Sequence, residues 1–490
     1  MTALADSPST QKSLAAAESA TPASPANLEP RYAPSPAHQV GGDVAINLPS
    51  GPSGSTLQQT IAFARDPYGY GLENQGRFGD VWAMKLATRK ETMLATSHPD
   101  HIRSVFTAAP ADMPSLTGDS PLRPIVGPYS VLTLVGPEHL RQRKLLLPPF
   151  HGDAVDRYMK MIEEVTAEEI SSWQPGATFP LAPRMQAVTL DIIMKGVLGI
   201  QDRGSWATHH RRFREAIRFF LNASNNSAFQ VAELMTARRR EPTGLLKLFV
   251  STIDRELYPL IQARRAQGIS PGSHDVFSLL LAAKDEDGQP MTDHELRDEL
   301  LTLILAGHET TANSLAWTFE RLVRNEGPYT RLRELVRGDD QQAADAYVDA
   351  TIHEGMRVRP VISFVVRMAE KPWRFGEYVV PARTPIALSI TGVHHREDVY
   401  ADAHAFKPER WIGEDGTFQK PGTYTWIPFG GGIRRCLGAT LAMAEQRVVL
   451  QQIAKRVDLA ITDAPAERPR QRNVTSIPAD GGTVTVASRS

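Results

Sequence analysis

Phe429-Gly430-Gly431-Gly432-Ile433-Arg434-Arg435-Cys436-Leu437-Gly438 holds the only cysteine of the 490-residue chain, and its reading decides the rest. Ala439 to Leu450, which follows, is rich in helix formers. Cys436 therefore stands beside a helix N-terminus, where free amides and the helix dipole favour a thiolate. A thiolate there could ligate iron. Two plainer readings compete: a buried structural cysteine beside a glycine turn, the commoner fate of an arbitrary cysteine, and a phosphate cradle formed by the glycines. The second lacks the Lys-Ser or Lys-Thr that completes a P-loop. A lone cysteine also excludes an intramolecular disulfide and a multi-cysteine zinc or iron-sulfur site, and it suggests a reducing, cytoplasmic setting.

The composition, 41% hydrophobic and 22% charged, is that of a globular protein, and its length alone suggests more than one domain. With 54 basic against 55 acidic residues the total gives no reason to expect a nucleic-acid surface. The densest apolar run, Leu300 to Gly307, falls short of the roughly 18 to 20 residues that cross a bilayer, so no membrane span is expected. Residues 1 to 46 are rich in Ala, Ser and Pro and read as a disordered leader. Asp6, Ser7, Pro8 and Gln11 interrupt any apolar core of a signal peptide there.

Beyond the leader, Leu57 to Arg65 is amphipathic and Asp80 to Leu86 alternates as a strand does. Helical periodicity then dominates segments 137 to 173, 183 to 199, 207 to 221, 244 to 266 and 292 to 325. Short strands return at Tyr378 to Val380, at Pro385 to Ser389 and around Gly481-Gly482. The result is a mainly α chain with minor β. Thr292 and Glu295 have capping-box spacing. The helix they start meets no strong breaker before Gly327-Pro328, which allows about 33 residues and a span of about 50 Å. In its middle, Ala306-Gly307-His308-Glu309-Thr310-Thr311 replaces bulky apolar residues with small and hydroxyl ones. By the three-and-four rule Ala306, Gly307, Thr310 and Thr311 share a stripe.

Phe429, Gly432, Arg434, Cys436 and Gly438 reproduce the haem-binding signature Phe-x-x-Gly-x-Arg-x-Cys-x-Gly, and the chain resembles the cytochromes P450, the haem-thiolate monooxygenases. Further matches lie in the family's order: Ala306 to Thr311, Glu354-x-x-Arg357, and Phe406-Lys407-Pro408-Glu409-Arg410-Trp411. The resemblance spans residues 49 to 490. It implies a helix-rich part plus a small sheet-rich part around a buried haem, in one domain over 47 to 490, against the length prior.

The resemblance also implies roles. Cys436 is the axial ligand of the haem iron, in a loop shaped by Phe429, Gly432 and Gly438. Arg434, with His139 and Arg143 spaced i, i+4 on an early helix, meets the haem propionates; Arg367 is a weaker candidate. Ala306 and Gly307 lie beside the haem, where Gly307 removes bulk. Thr310 and Glu309 form the acid-alcohol pair that delivers protons to dioxygen, although such threonines also bond back to the preceding turn. Glu354, Arg357 and Arg410 form a buried scaffold network; taken alone, Glu354 and Arg357 would be an ordinary helix pair.

The expected activity inserts one oxygen atom of O2 into an apolar small organic substrate, by hydroxylation or epoxidation, with haem b as cofactor. No flavin or ferredoxin segment follows the signature, so an external ferredoxin or flavodoxin with its reductase is expected to carry electrons from NAD(P)H to a monomeric protein. Arg141, Lys144 and Arg435 are the expected basic docking patch. The alternatives are a peroxide-using or rearranging haem-thiolate enzyme, against which the pair Glu309 and Thr310 argues, and a non-catalytic haem sensor or carrier, which turnover with a surrogate ferredoxin system would separate. Pocket walls are expected from about Leu116 to Val131, 207 to 267, Ile304 and Val361 to Val366, with Phe364 a contact. Arg238-Arg239-Arg240 could attract a substrate carboxylate, or be a solvated face.

Overall fold

The computed structural model describes residues 31–42, 44–120, 122–150, 153–199, 207–224, 241–269 and 275–489. The helices that position the site are α1 (Thr56–Arg65), α2 (Pro67–Phe78), α3 (Gly136–Leu146), α4 (Leu181–Gly196), α5 (Ala207–Ser224), α6 (Gly244–Gln267), α7 (Asp293–Val323), α8 (Gln341–Val358) and α9 (Ala439–Arg456). Both halves of the expected capping box form at the start of α7. The Glu295 amide donates to the Thr292 hydroxyl at 3.2 Å, and the Thr292 amide donates to the Glu295 carboxylate at 2.7 Å. The 31-residue helix that follows is apolar or buried on nearly every side, as a helix running through a core must be.

Its end corrects the sequence reading. Asn325 leaves helical geometry and its side chain donates to the Arg321 carbonyl at 2.7 Å, closing the helix before Gly327-Pro328. Those two residues lie in the first turn of the next helix, Glu326–Arg337, where a proline's missing N–H is no loss. The segment expected as one helix over 137 to 173 is likewise broken, at Pro148-Pro149.

The strands form small sheets. β2 (Val81–Met84), β3 (Met93–Thr96), β5 (Phe364–Ala369) and β8 (Thr384–Ser389) make one in the order β2-β3-β8-β5, with β3 and β8 parallel and Leu94 opposite Ile386. β4 (Thr178–Pro180), β12 (Thr483–Arg489) and β9 (Val457–Ile461) make a second, and β10 (Pro469–Arg472) pairs with β11 (Thr475–Pro478). Gly481-Gly482 is therefore no hairpin turn: it carries the chain from β11 in one sheet to β12 in another. The larger core gathers Leu300, Leu301 and Ile304 of α7 with α4, α6, α8 and α9; a smaller one lies between the sheet residues and Ile102, Val105 and Phe106. No helix among the described residues is long and apolar enough to cross a membrane.

The expected leader ends sooner than residue 46. β1 (Ala37–Gln39) adds to β6 (Trp373–Phe375) and β7 (Tyr378–Val380) as an edge strand. Just before it, the Ser35 amide donates to Asp100 at 3.0 Å and the Arg31 amide to the Asp398 carbonyl at 2.7 Å. Partners more than sixty residues away order this stretch despite its composition. Residues 1 to 30 of the leader, and Arg238-Arg239-Arg240, lie outside the described residues.

Candidate active site

The signature loop is closed by the Cys436 amide, which donates to the Phe429 carbonyl at 3.0 Å. Gly432 has φ +63°, and a Cβ there would sit 2.3 Å from the backbone oxygen of Phe106, so only glycine fits. Gly438, the N-cap of α9, has an ordinary φ of −85° and no protein atom within 4 Å of a Cβ position, so the polypeptide itself does not call for glycine there. The Cys436 side chain is accessible to a water-sized probe, yet burial still raises its pKa. The Gly438 amide and the Arg435 and Arg143 charges pull the thiol down without overcoming burial. The helix N-terminus favours the thiolate as expected, through the Gly438 amide, and a coordinated metal ion deprotonates a thiol outright.

Three arginines and a neutral imidazole stand beside the loop. His139 and Arg143 share one face of α3, Arg434 comes from the signature loop and Arg367 from β5. His139, Arg367 and Arg434 line one narrow cleft of about 30 Å³. Burial, and then the charges of Arg434, Arg143 and Arg367, push the His139 imidazole down to about 3. Burial likewise lowers Arg434 and Arg367 to about 10. Among the described residues none of the four pairs with a carboxylate; Arg434 donates only to the carbonyls of Val131, at 3.1 Å, and Leu134. Desolvated, unpaired cations are unfavourable and call for an anion. A haem fits this donor set: its two propionates would meet the N–H groups of the three arginines and the His139 imidazole, and Cys436 would supply a sulfur ligand to the iron. Arg367 thus belongs with the stronger candidates. An arginine in the middle of the apolar strand Phe364-Val365-Val366-Arg367-Met368-Ala369 was the available signal.

The middle of α7 divides where one stripe was expected. Ala306 is exposed although Ile304 and His308 beside it are buried, and Thr310 lies one turn on. The Thr310 hydroxyl donates to the Ala306 carbonyl at 2.6 Å. Gly307 faces the other way: a Cβ there would lie 2.9 Å from Ile193 Cδ1 on α4, so the bulk it removes is at a helix crossing. Thr311 is buried with it. The Glu309 carboxylate accepts from Arg472 Nε at 2.8 Å and from the Thr475 hydroxyl at 2.7 Å.

Glu354, Arg357 and Arg410 meet in full burial. Arg357 binds Glu354 through two N–H groups at 2.7 and 2.8 Å, Arg410 Nε reaches it at 3.1 Å, and Trp411 Nε1 and the Lys407 amide complete its shell. Arg357 spends its remaining donors on the carbonyls of His394, Ala403 and Ala405. Burial pushes the Glu354 carboxyl up, but Arg357, Arg410 and these hydrogen bonds bring it below its ordinary value.

The family model for cytochrome P450 matches residues 49–485. This chain belongs to the cytochrome P450 family. It is 35% identical over 452 residues to cytochrome P450 135B1 of Mycobacterium tuberculosis, covering 91% of this chain and 93% of that one. It is also 35% identical over 418 residues, 83% of each chain, to cytochrome P450 137 of the same species. In fold it resembles the retinoic acid-bound cyanobacterial CYP120A1, with a TM-score of 0.73 at 21% identity, covering 91% of this chain and all of that one. Membership makes it a P450 monooxygenase with haem as cofactor.

Two expectations for this P450 change. Arg141 pairs with Asp285 at 2.7 Å and Glu295 at 2.6 Å, and Lys144 pairs with Glu286 at 2.5 Å, so of the expected docking patch Arg435 alone remains exposed without an ion pair among the described residues. Phe364 packs against Phe63, ring centroids 5.6 Å apart, and stands where a Cβ on Gly71 of α2 would come within 2.8 Å. Phe364 thus packs with Phe63 against the core cluster of Tyr70, Trp82 and Met84.

Proposed function

We propose that this P450 holds haem b through Cys436, with His139, Arg143, Arg434 and Arg367 around the propionates. The group of half-buried and buried arginines without acidic partners, next to the lone cysteine, carries the reading. Phe429, Gly432 and Gly438 shape the loop, and Ala306 leaves room across from it. Haem bound there supplies the redox-active iron for oxygen chemistry. Thr310 keeps a hydroxyl one turn on from Ala306, with its proton parked on the Ala306 carbonyl and its lone pairs free to accept. Glu309 moves protons toward that hydroxyl, and Arg472 and Thr475 hold its carboxylate in place. Glu354, Arg357 and Arg410 fix the scaffold.

The reaction places one oxygen atom of O2 in an apolar small organic substrate, by hydroxylation or epoxidation. Two electrons and two protons turn the other atom into water. The electrons come from NAD(P)H through a reductase and a ferredoxin or flavodoxin. The protein works as a monomeric, single haem domain in the cytoplasm. The test is the absorption spectrum of the reduced protein under carbon monoxide. A strongly red-shifted Soret band lost in Cys436→Ser is expected, and its absence from haem-loaded wild type overturns the ligand assignment. Turnover of apolar substrates with a surrogate ferredoxin system then tests the reaction; haem-loaded protein that turns over only with peroxide overturns the electron route.

A further inference from the structure

Val131 is bonded through both of its backbone groups. Its N–H donates to Glu299 Oε1 at 2.7 Å, and its carbonyl accepts from Arg434 Nη1 at 3.1 Å. Glu299 lies on α7, two turns before Ala306, and is fully buried. The same loop is fastened to α7 nearby. The Tyr129 amide donates to Asp298 Oδ2 at 2.9 Å, and the hydroxyls of Ser130 and Thr302 lie 2.6 Å apart. Gly127, at φ +92°, runs so close to Asp298 that a Cβ would lie 2.1 Å from its carboxylate oxygens. Residues 127 to 134 therefore form a strut from the central helix to the guanidinium of Arg434.

Packing alone does not account for Glu299. Its second oxygen, Oε2, has no hydrogen-bond partner, an arrangement that a leucine would avoid. The bond it does make goes to Val131. Arg434, for its part, has no acid to orient it and is aimed only by the carbonyls of Val131 and Leu134. We infer that Glu299 is a positioning residue for Arg434, acting through Val131 to aim the guanidinium at the anionic edge of the cofactor. This rests on Arg434 as a propionate partner and adds what holds Arg434 in place. Burial pushes the Glu299 carboxyl well above its usual value, so the neutral acid makes the bond and an amide can replace it.

The test follows haem loss from the ferric holoprotein to excess apomyoglobin, with the reduction potential as a second readout. Glu299→Leu removes the acceptor and is expected to speed haem loss roughly tenfold, the scale of one buried hydrogen bond. Glu299→Gln keeps an acceptor oxygen and is expected to match wild type in both readouts. In an Arg434→Ala background, Glu299→Leu is expected to add nothing. Should Glu299→Leu fail to fold, Glu299→Asp, which withdraws the acid by one methylene, takes its place. If Arg434→Ala speeds haem loss and Glu299→Leu does not, or if the Leu effect persists in the Arg434→Ala background, the positioning role is overturned. If Arg434→Ala itself leaves haem loss unchanged, the propionate reading beneath it fails instead.

Discussion

Arg472 Nε stands 2.8 Å from Glu309 Oε1, so the carboxylate that precedes Thr310 is tethered to a residue 163 positions further along the chain. The pair is largely buried, and Thr475 shares the same oxygen, which makes the C-terminal hairpin a neighbour of the middle of α7. Positioned acid-base groups contribute roughly a hundredfold or more, so Glu309→Gln is expected to slow turnover by about that factor with haem content unchanged. Arg472→Ala is expected to slow it less and to lower the product formed per NADH consumed. Wild-type turnover in Glu309→Gln would remove the acid from the mechanism.

Removing one member of the Glu354 network leaves the others charged and dry. A broken buried ion pair typically costs about 3–5 kcal/mol, so Glu354→Ala is expected to lose haem retention and most of its resistance to urea. Because the Glu354 carboxyl is held below its ordinary value, its stabilisation is complete above the usual glutamate range and fades as pH falls through the folded-state pKa. An Arg410→Met protein should be damaged less, since Arg357 still binds the carboxylate with two N–H groups. Equal urea midpoints in wild type and Glu354→Ala would contradict the scaffold role.

The features legible in the sequence are those settled by near neighbours: the Cys436 loop, the Thr292 capping box, and the strand at Tyr378–Val380. Spacing also put His139 and Arg143 on one face and Glu354 with Arg357. It could not say what each face meets. Gly307 and Ala306 are adjacent small residues, yet one faces Ile193 and the other is exposed, which depends on where α4 crosses. Arg141 resembles a free surface cation until the turn at Asp285 folds against it. β1 is ordered by β6, a strand more than three hundred residues away, which no local composition can reveal.

The Gly307 contact can be measured directly. A methyl group placed 2.9 Å from Ile193 Cδ1 makes that flexible side-chain end shift, which costs about 1 kcal/mol, and replacing a mid-helix glycine by alanine gains about as much. Gly307→Ala is therefore expected to leave the urea midpoint nearly unchanged, and Ile193→Val, which removes the Cδ1 methyl, is expected to cost less stability in the Gly307→Ala background than in wild type. Strict additivity of the two substitutions would show that they do not touch.

Several histidines make the protein sensitive to mild acid. His101 and His395 are pushed down to about 3, and His308 and His353 to about 4, each first by burial. Unfolded, each titrates near 6.5. Below that pH the unfolded chain takes up protons that the folded one refuses, so the stability these groups contribute is complete above about pH 6.5 and is lost as pH falls. Each can contribute up to about 1.4 kcal/mol per pH unit in that window. The thermal midpoint is expected to change little between pH 7.5 and 6.5 and to fall steeply from 6.5 to 5. His353→Phe should preserve the ring stack on Trp426, now 4.4 Å between centroids, while making the acid limb shallower. A midpoint that is flat down to pH 5 in wild type would mean that these imidazoles gain protons without unfolding, and that the burial assigned to them does not hold in solution.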